Sequence, residues 1–346
     1  MKRKSILLLI AVLLMSVALV VAGCGGNQDE ASNSGSDSSA DQSQGSEDKQ
    51  EVTRLLMATG GTGGTYYPLG GAIAETWNKY IDGLNVTVQS TGASVENIRL
   101  LGSGQTELAM AMNGPAIAAV EGTGDFEGQP VKGFSAVGVI YPEVMQIVSP
   151  KDTGIKSVKD LKGKRVSIGP VGSGTASAAI KILKANGIDP DKDIEKFQDT
   201  FSDAARKLKD GLLDAAFAVL AVPAANIVDI TTSTPVTIVN IEGEGLQKLM
   251  EMDPAFSPYE IPAGTYDGQD EIGYTVSQWA VLYVSDDLPE DLVYQMAKVM
   301  YEHTDEIAKA HARGNQIKLE NAIKGIKPVP FHPGAEKYYK EQGLID

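Results

Sequence analysis

One cysteine, three histidines and an aromatic share of 6% leave this 346-residue chain short of the side chains on which three large functional classes depend. A disulfide framework needs cysteines in pairs, so a lone one excludes it. The histidines, His303, His311 and His332, come late in the chain at spacings that fit no zinc motif, and they read as surface residues. So few aromatic rings make a poor stacking platform for nucleic-acid bases. Positive charge is scarce too, with 30 Lys and Arg against 45 Asp and Glu, a formal net charge of -15. Such a surface repels phosphate backbones and anionic headgroups. Nucleic acid is therefore not an expected partner, and a membrane attachment has to be covalent or built in.

The N-terminus supplies that attachment. Lys2, Arg3 and Lys4 precede an apolar stretch over residues 6–20, which ends in Val21, Ala22, Gly23 and Cys24. A basic start, an apolar run and small residues are the marks of a secretory signal. Val-Ala-Gly-Cys resembles the bacterial lipobox, so residues 1–23 are expected to be a lipoprotein signal peptide and Cys24 the lipidated N-terminus. The body is then extracytoplasmic, anchored by lipid to the bacterial cell membrane. Residues 24–50, rich in Ser, Asp, Gln and Gly, bury too little apolar surface to offset their ordering entropy and read as a disordered tether. Its coil reach is about 25–30 Å.

From residue 51 onward a pattern appears twice, about 110 residues apart. The first copy goes from a strand-like stretch at 54–58 into the glycine loop Thr59, Gly60, Gly61, Thr62, Gly63, Gly64, Thr65, then through Ser90, Thr91, Gly92, Ala93, Ser94 into a helix. The second goes from 165–168 into Gly169, Pro170, Val171, Gly172, Ser173, Gly174, Thr175, then through Thr200, Phe201, Ser202 into a helix. Both finish on Gly-x-x-[Asp/Glu]-x-Ala-x-Ala, at Gly104 and at Gly211, followed by Pro115 and Pro223. Further buried strands are expected at 84–89, 108–112, 135–140, 144–148, 215–219, 236–241 and 275–284, with an irregular connection over 254–270 and a long helix after Pro289. Alternation of this kind predicts an α/β chain of two lobes with the ligand cleft between them. Residues 51–148 and 246–346 form lobe I, and 149–245 form lobe II as an insertion.

In open α/β sheets ligands gather beyond the carboxyl ends of strands, where helices begin. Glycines allow close backbone approach there, and the unpaired N–H groups of a helix start favour negative charge. Gly63, Gly64, Gly92 and Gly174 are candidates for backbone contact. Thr62, Thr65, Ser90, Thr91, Ser94, Ser173 and Thr175 are candidates for hydroxyl contact. Tyr66 and Tyr141 suit an amphiphilic wall, Asn113 and Glu143 could hold an ammonium or amide group, and Pro223 closes the second copy. Each glycine loop lacks the last glycine of G-x-G-x-x-G and the Lys of a P-loop, and Ser173 is not in a G-x-S-x-G elbow. No enzyme, cofactor or metal site is expected.

These motifs meet a known pattern. ATGGTGGTYYP at 58–68, STGASVENIRLL at 90–101, GPVGSGT at 169–175, residues 210–223, IPAGTYDGQD at 261–270 and FHPGAEKY at 331–338 together resemble the TAXI family. Its members are the extracytoplasmic solute-binding proteins of TRAP (tripartite ATP-independent periplasmic) transporters. The resemblance implies a type II-like periplasmic-binding-protein fold. It also implies a glutamate-like, glutamine-like or dicarboxylate solute and an ion-gradient-driven integral-membrane permease as partner. Met112, Asn113, Gly114 stands where many members carry a Gln-Ser-Asp-like stretch, which gives weight to a dicarboxylate without an amino group. The alternative partner is an ABC-type importer, or a sensor function as a lipoprotein for a small anion.

Overall fold

Stretches of five or six apolar residues, too short to be buried helices, become strands, and the amphipathic stretches between them become the helices that cover both sheet faces. The computed structural model describes residues 52–346, so the signal-like segment, Cys24 and the whole of the tether lie outside the described residues. The first half runs β1 (Thr53–Ala58), α1 (Tyr66–Tyr80), β2 (Leu84–Gln89), α2 (Ser94–Gly102), β3 (Leu108–Met112) and α3 (Asn113–Glu121), then crosses on β4 (Phe134–Pro150). The second half runs β5 (Arg165–Ser167), α4 (Gly174–Ala185), β6 (Glu195–Phe197), α5 (Phe201–Lys209), β7 (Ala215–Leu220), α6 (Ala225–Thr231), β8 (Val236–Ile238), α7 (Gly243–Met252) and β9 (Ser257–Ile261). Strand β10 (Gly273–Ser285) returns the chain to the first half, where α8 (Glu290–Glu302), α9 (Thr304–Ala310) and α10 (Pro333–Glu341) complete it.

The strand order β2-β1-β3-β10-β4-β7-β5-β6 reads the same from either edge. In the first half β1 lies parallel between β2 and β3, and β3 pairs antiparallel with β10. In the second half β5 lies parallel between β6 and β7, and β7 pairs antiparallel with β4. Four apolar clusters cover the sheet, two to each half and one on each face. Trp77, Leu69 and Met300 anchor one cluster of the first half and Ile98, Val95 and Tyr283 the other. In the second half Ile182, Leu183 and Phe217 face Leu208, Ile227 and Leu220 across the sheet.

The repeated Gly-x-x-[Asp/Glu]-x-Ala-x-Ala has the same work in both halves. Gly104 and Gly211 stand at φ +69 and φ +66, the left-handed turn that ends α2 and α5 and favours glycine. Three residues on, Glu107 accepts the backbone N–H of Leu56 at 2.8 Å and Asp214 that of Arg165 at 2.8 Å, each tying the new strand to the central one. The alanine pairs, Ala109 with Ala111 and Ala216 with Ala218, face the helices just left, where small side chains let helix and sheet approach closely.

Four expectations need correction. Residues 135–140 and 144–148 belong to one strand, because β10 pairs with it from Phe134 to Val144, holding Pro142 opposite Trp279, and β7 pairs with it from Val144 to Val148. The stretch 254–270 is not wholly irregular: Ser257–Ile261 forms an edge strand on β10, a position in which Pro258 is tolerated. The long helix after Pro289 breaks at His303 into α8 and α9. His332 is buried, not superficial. Its Nδ1 accepts the N–H of Gly334 at 3.2 Å and caps α10, while Nε2 meets the carbonyl of Leu288 at 3.1 Å.

Candidate functional site

Four helices begin around one cavity between the halves. Thr65 and Tyr66 come from the start of α1, Ala93 and Ser94 from α2, Gly174 and Thr175 from α4, and Phe201 from α5; Gly60, Gly61 and Gly64 of the first glycine loop, Met112, Glu143, Val219 and Leu220 complete the wall. The first turn of each helix carries N–H groups without intrahelical partners. Four such ends create a positive potential without any basic side chain, and no Lys, Arg or His lines the cavity among the described residues. Larger hollows of about 300, 600 and 390 Å³ lie elsewhere on the surface. None of them draws on both glycine loops.

One group opposes this positive field. Glu143, on the shared strand β4, is 4% exposed. Its Oε1 accepts the Tyr141 hydroxyl, while Oε2 has no hydrogen-bond partner. Tyr66 packs edge-on to Tyr141 with ring centroids 6.3 Å apart, and its buried hydroxyl is also unpartnered. Burial pushes the Glu143 carboxyl up to about 8, against the downward pull of its hydrogen bond from Tyr141 and of the nearby Tyr66 hydroxyl, which lies outside hydrogen-bonding geometry. Burial, reinforced by the neighbouring Glu143, holds both tyrosine hydroxyls well above their ordinary value. An unpaired buried polar atom costs about 1–3 kcal/mol, and both of these belong to residues of the cavity wall.

The halves meet directly around this point. The N–H of Glu96 donates to Gly172 O at 3.0 Å, and the N–H of Ala221 donates to Thr65 Oγ1 at 3.3 Å. Arg313 donates from Nη1 to Val222 O at 2.8 Å and from Nη2 to Pro223 O at 2.7 Å. A Cβ on Gly174 would lie 2.7 Å from Met112 Sδ and 2.8 Å from Ser94 Oγ, and one on Gly92 would lie 2.6 Å from the carbonyl of Val171. The cavity left between them is about 30 Å³, close to one water's share of the liquid, roughly 30 Å³. The cleft is therefore shut, and a solute of about ten heavy atoms enters only when the halves part.

Of the residues singled out from the sequence, the structure brings Gly64, Thr65, Tyr66, Ser94, Glu143, Gly174 and Thr175 to the cavity wall, with Tyr141 directly behind Glu143. Gly63 and Gly92 lie in the seam, against Ser202 and Val171 of the other half. Thr62 and Ser90 are exposed. The hydroxyl of Thr91 holds its own turn through Asn97 Oδ1 at 2.6 Å and the N–H of Ala93 at 3.0 Å. Ser173 caps α4 by accepting from Ala176 N at 3.0 Å. Pro223 offers only its carbonyl, to Arg313. Asn113 is not in the cavity wall: Oδ1 accepts from Trp279 N at 3.0 Å and Nδ2 donates to Gly325 O at 2.8 Å, so both ends of its amide are engaged in holding the fold. Missing from the candidates read from the sequence are Gly60, Gly61, Ala93, Phe201, Met112, Val219 and Leu220. Phe201 was recoverable, because it opens the second copy's helix as Ser94 opens the first.

Solved structures share this architecture. MatC from Rhodopseudomonas palustris, solved with bound malate, matches with a TM-score of 0.53 at 15% identity, over 84% of this chain and 97% of its own. A binding protein component of an ABC phosphonate transporter from Pseudomonas aeruginosa matches with a TM-score of 0.50 at 12% identity, over 85% and 96%. The alkanesulfonate-binding protein SsuA from Xanthomonas axonopodis pv. citri, bound to MOPS, matches at 0.47 and 15%, over 86% and 95%. At these identities the likeness bears on fold, and the fold is the α/β one of periplasmic binding proteins. The family match reaches from residue 57 to residue 343, a coarser assignment than the TAXI resemblance, and by it the chain belongs to the NMT1-like family.

Proposed function

We propose that this protein is an extracytoplasmic solute receptor that holds a small carboxylate between its two halves and delivers it to a membrane permease. The observation that carries the reading is the convergence of four helix starts, two from each half, on one buried cavity with no basic side chain. Partly buried helix ends favour an anion by up to about 2 kcal/mol each. A solute that bridges them stabilises the closed form over the open one, which is how occupancy is signalled to a partner. Glutamate, glutamine and dicarboxylates are the solutes to test first. Between the two partners expected from the sequence, the fold shared with the phosphonate-transporter component favours an ABC-type importer, and the motif resemblance favours a TRAP permease. We place the ABC importer first. Lipid attachment at Cys24 keeps the receptor at the outer face of the cell membrane in either case. We assign the protein no reaction.

Thermal-shift screening against amino acids and dicarboxylates tests the reading. A solute at about 100 times its Kd stabilises by about 2.7 kcal/mol, a rise of roughly 5–10 °C for a domain of this size. A panel in which no carboxylate moves the melting temperature overturns it.

A further inference from the structure

Between the end of β7 and the start of α6, residues 221–224 belong to no regular element, yet they carry three hydrogen bonds to the first half. The N–H of Ala221 donates to Thr65 Oγ1, and the carbonyls of Val222 and Pro223 accept from Arg313. Two carbonyls serve one guanidinium only when their spacing and direction are fixed, because its N–H groups form a rigid fork. Two buried side chains fix this stretch, one at each end. Gln146 of β4 donates from Nε2 to Leu220 O at 3.2 Å, and its Oε1 accepts the hydroxyl of Tyr266. The same hydroxyl oxygen accepts the N–H of Ala224 at 2.9 Å. Gln146 is 0% and Tyr266 2% exposed, so solvent does not compete for these groups.

Tyr266 comes from IPAGTYDGQD at 261–270, a motif that supplies nothing to the cavity wall. Its residues close a loop on themselves: Gly264 N donates to Gln269 O at 2.8 Å, and Gln269 N to Tyr266 O at 3.0 Å. Strand β9 ties that loop to β10, and so to the crossing between the halves. On the first half, the backbone N–H of Arg313 donates to His311 Nδ1 at 3.3 Å, which sets the guanidinium from its own side. We propose that Tyr266 and Gln146 are positioning residues of closure, holding residues 220–224 in the shape that Arg313 grips and so setting how long the halves stay together. This rests on the receptor reading only in that the cleft opens; which solute it takes does not enter.

The test is amide hydrogen exchange of the protein without solute, followed residue by residue by NMR. Glu96 N–H, bonded to Gly172 O across another part of the seam, reads the parting of the halves, and Arg165 N–H, bonded to Asp214, reads the integrity of the second half. Tyr266→Phe and Arg313→Ala should each speed exchange at Glu96 at least about tenfold and leave Arg165 unchanged. The double variant should be no faster at Glu96 than the quicker single one, because Tyr266 acts through the grip of Arg313. Unchanged exchange at Glu96 in Tyr266→Phe confines Tyr266 to its own half and overturns the proposal, and so does a double variant in which the two effects multiply. The wild type gives a further test that stands even if a substitution perturbs folding. Corrected for intrinsic rates, Ala221 and Glu96 should open with the same free energy, and unequal opening would separate the grip from closure and overturn the proposal. None of these outcomes touches the solute screen, so a failure here and a failure of the receptor reading are told apart.

Discussion

Glu143→Gln makes a prediction for the protein without solute, because the buried carboxyl links folding to pH. Its folded-state value, about 8, stands above the ordinary 4.5 of an exposed glutamate, with burial as the leading cause. Between those values the folded protein keeps a proton that the unfolded chain has released. Stability must therefore fall as pH rises across the window and level off above about 8. At about 1.4 kcal/mol per pH unit the full decline is on the order of 5 kcal/mol. Parting of the halves, which lets water reach the carboxylate, reduces it. For a domain of this size each kcal/mol moves the melting temperature by roughly 2–4 °C. Glutamine keeps the shape and the acceptor for Tyr141 and has no proton to lose. Scanning calorimetry of both proteins from pH 5 to pH 9 should show similar melting at pH 5 and a glutamine variant on the order of 10 °C higher at pH 9. Other titrating groups are common to the two and cancel in the difference. Parallel curves across that range would refute the burial of an unpaired carboxyl.

Gly174→Ala and Gly92→Ala place a methyl group in the seam, against Ser94 and Met112 or against the Val171 carbonyl, whereas Gly71→Ala, in α1 and outside the cavity wall, meets nothing within 4 Å. The first two should weaken solute binding at least about tenfold with the melting temperature of the empty protein nearly unchanged, and the third should bind normally, as read by calorimetry; equal affinities for all three would remove the closed cleft from the mechanism. Arg313→Ala loses two charge-assisted hydrogen bonds between the halves, each about 1.5–3 kcal/mol in a favourable setting. Solute should then leave at least about tenfold faster in stopped-flow fluorescence, with little change in the rate of entry. Asp214→Ala strips the N–H of Arg165 and its guanidinium of their acceptor, for a drop of a few degrees at neutral pH. Hydrogen bonding from Arg165 holds the Asp214 carboxyl below the usual range, so its contribution is present above the unfolded value and fades as acid protonates it; the two melting curves should converge at low pH. Cys24→Ser should release the protein from the membrane fraction, and retention there would count against lipid attachment.

Much of the scaffold was legible because its signals are local. The strand limits at 84–89 and 108–112 coincide with β2 and β3. Spacing alone located the repeat at Gly104 and Gly211, since a left-handed turn and a strand-tying carboxylate both depend on residues close in sequence. The features that were not legible depend on distant partners. Pro142 reads as a breaker until β10 runs beside it. Asn113 reads as a ligand contact until Trp279 and Gly325, more than 160 residues away, take both ends of its amide. Apolar wall residues such as Val219 and Leu220 look like any other core of a strand, because nothing local says which end of β7 faces a cleft.

The same distinction separates the two tasks of the site. The repeat brings helix starts from each half to the cavity, and with them a preference for one negative charge. Being matched, the two copies offer that preference twice and nothing to oppose it. Glu143 lies on β4, a strand that pairs with β10 on one side and β7 on the other and belongs to neither copy. This carboxyl therefore sits on the strand shared by both halves, where parting them hydrates it and closing them strips its water away. Protonation and closure are then linked: the carboxylate is ionised cheaply only while the cleft is open, so rising pH favours the open form over the closed one.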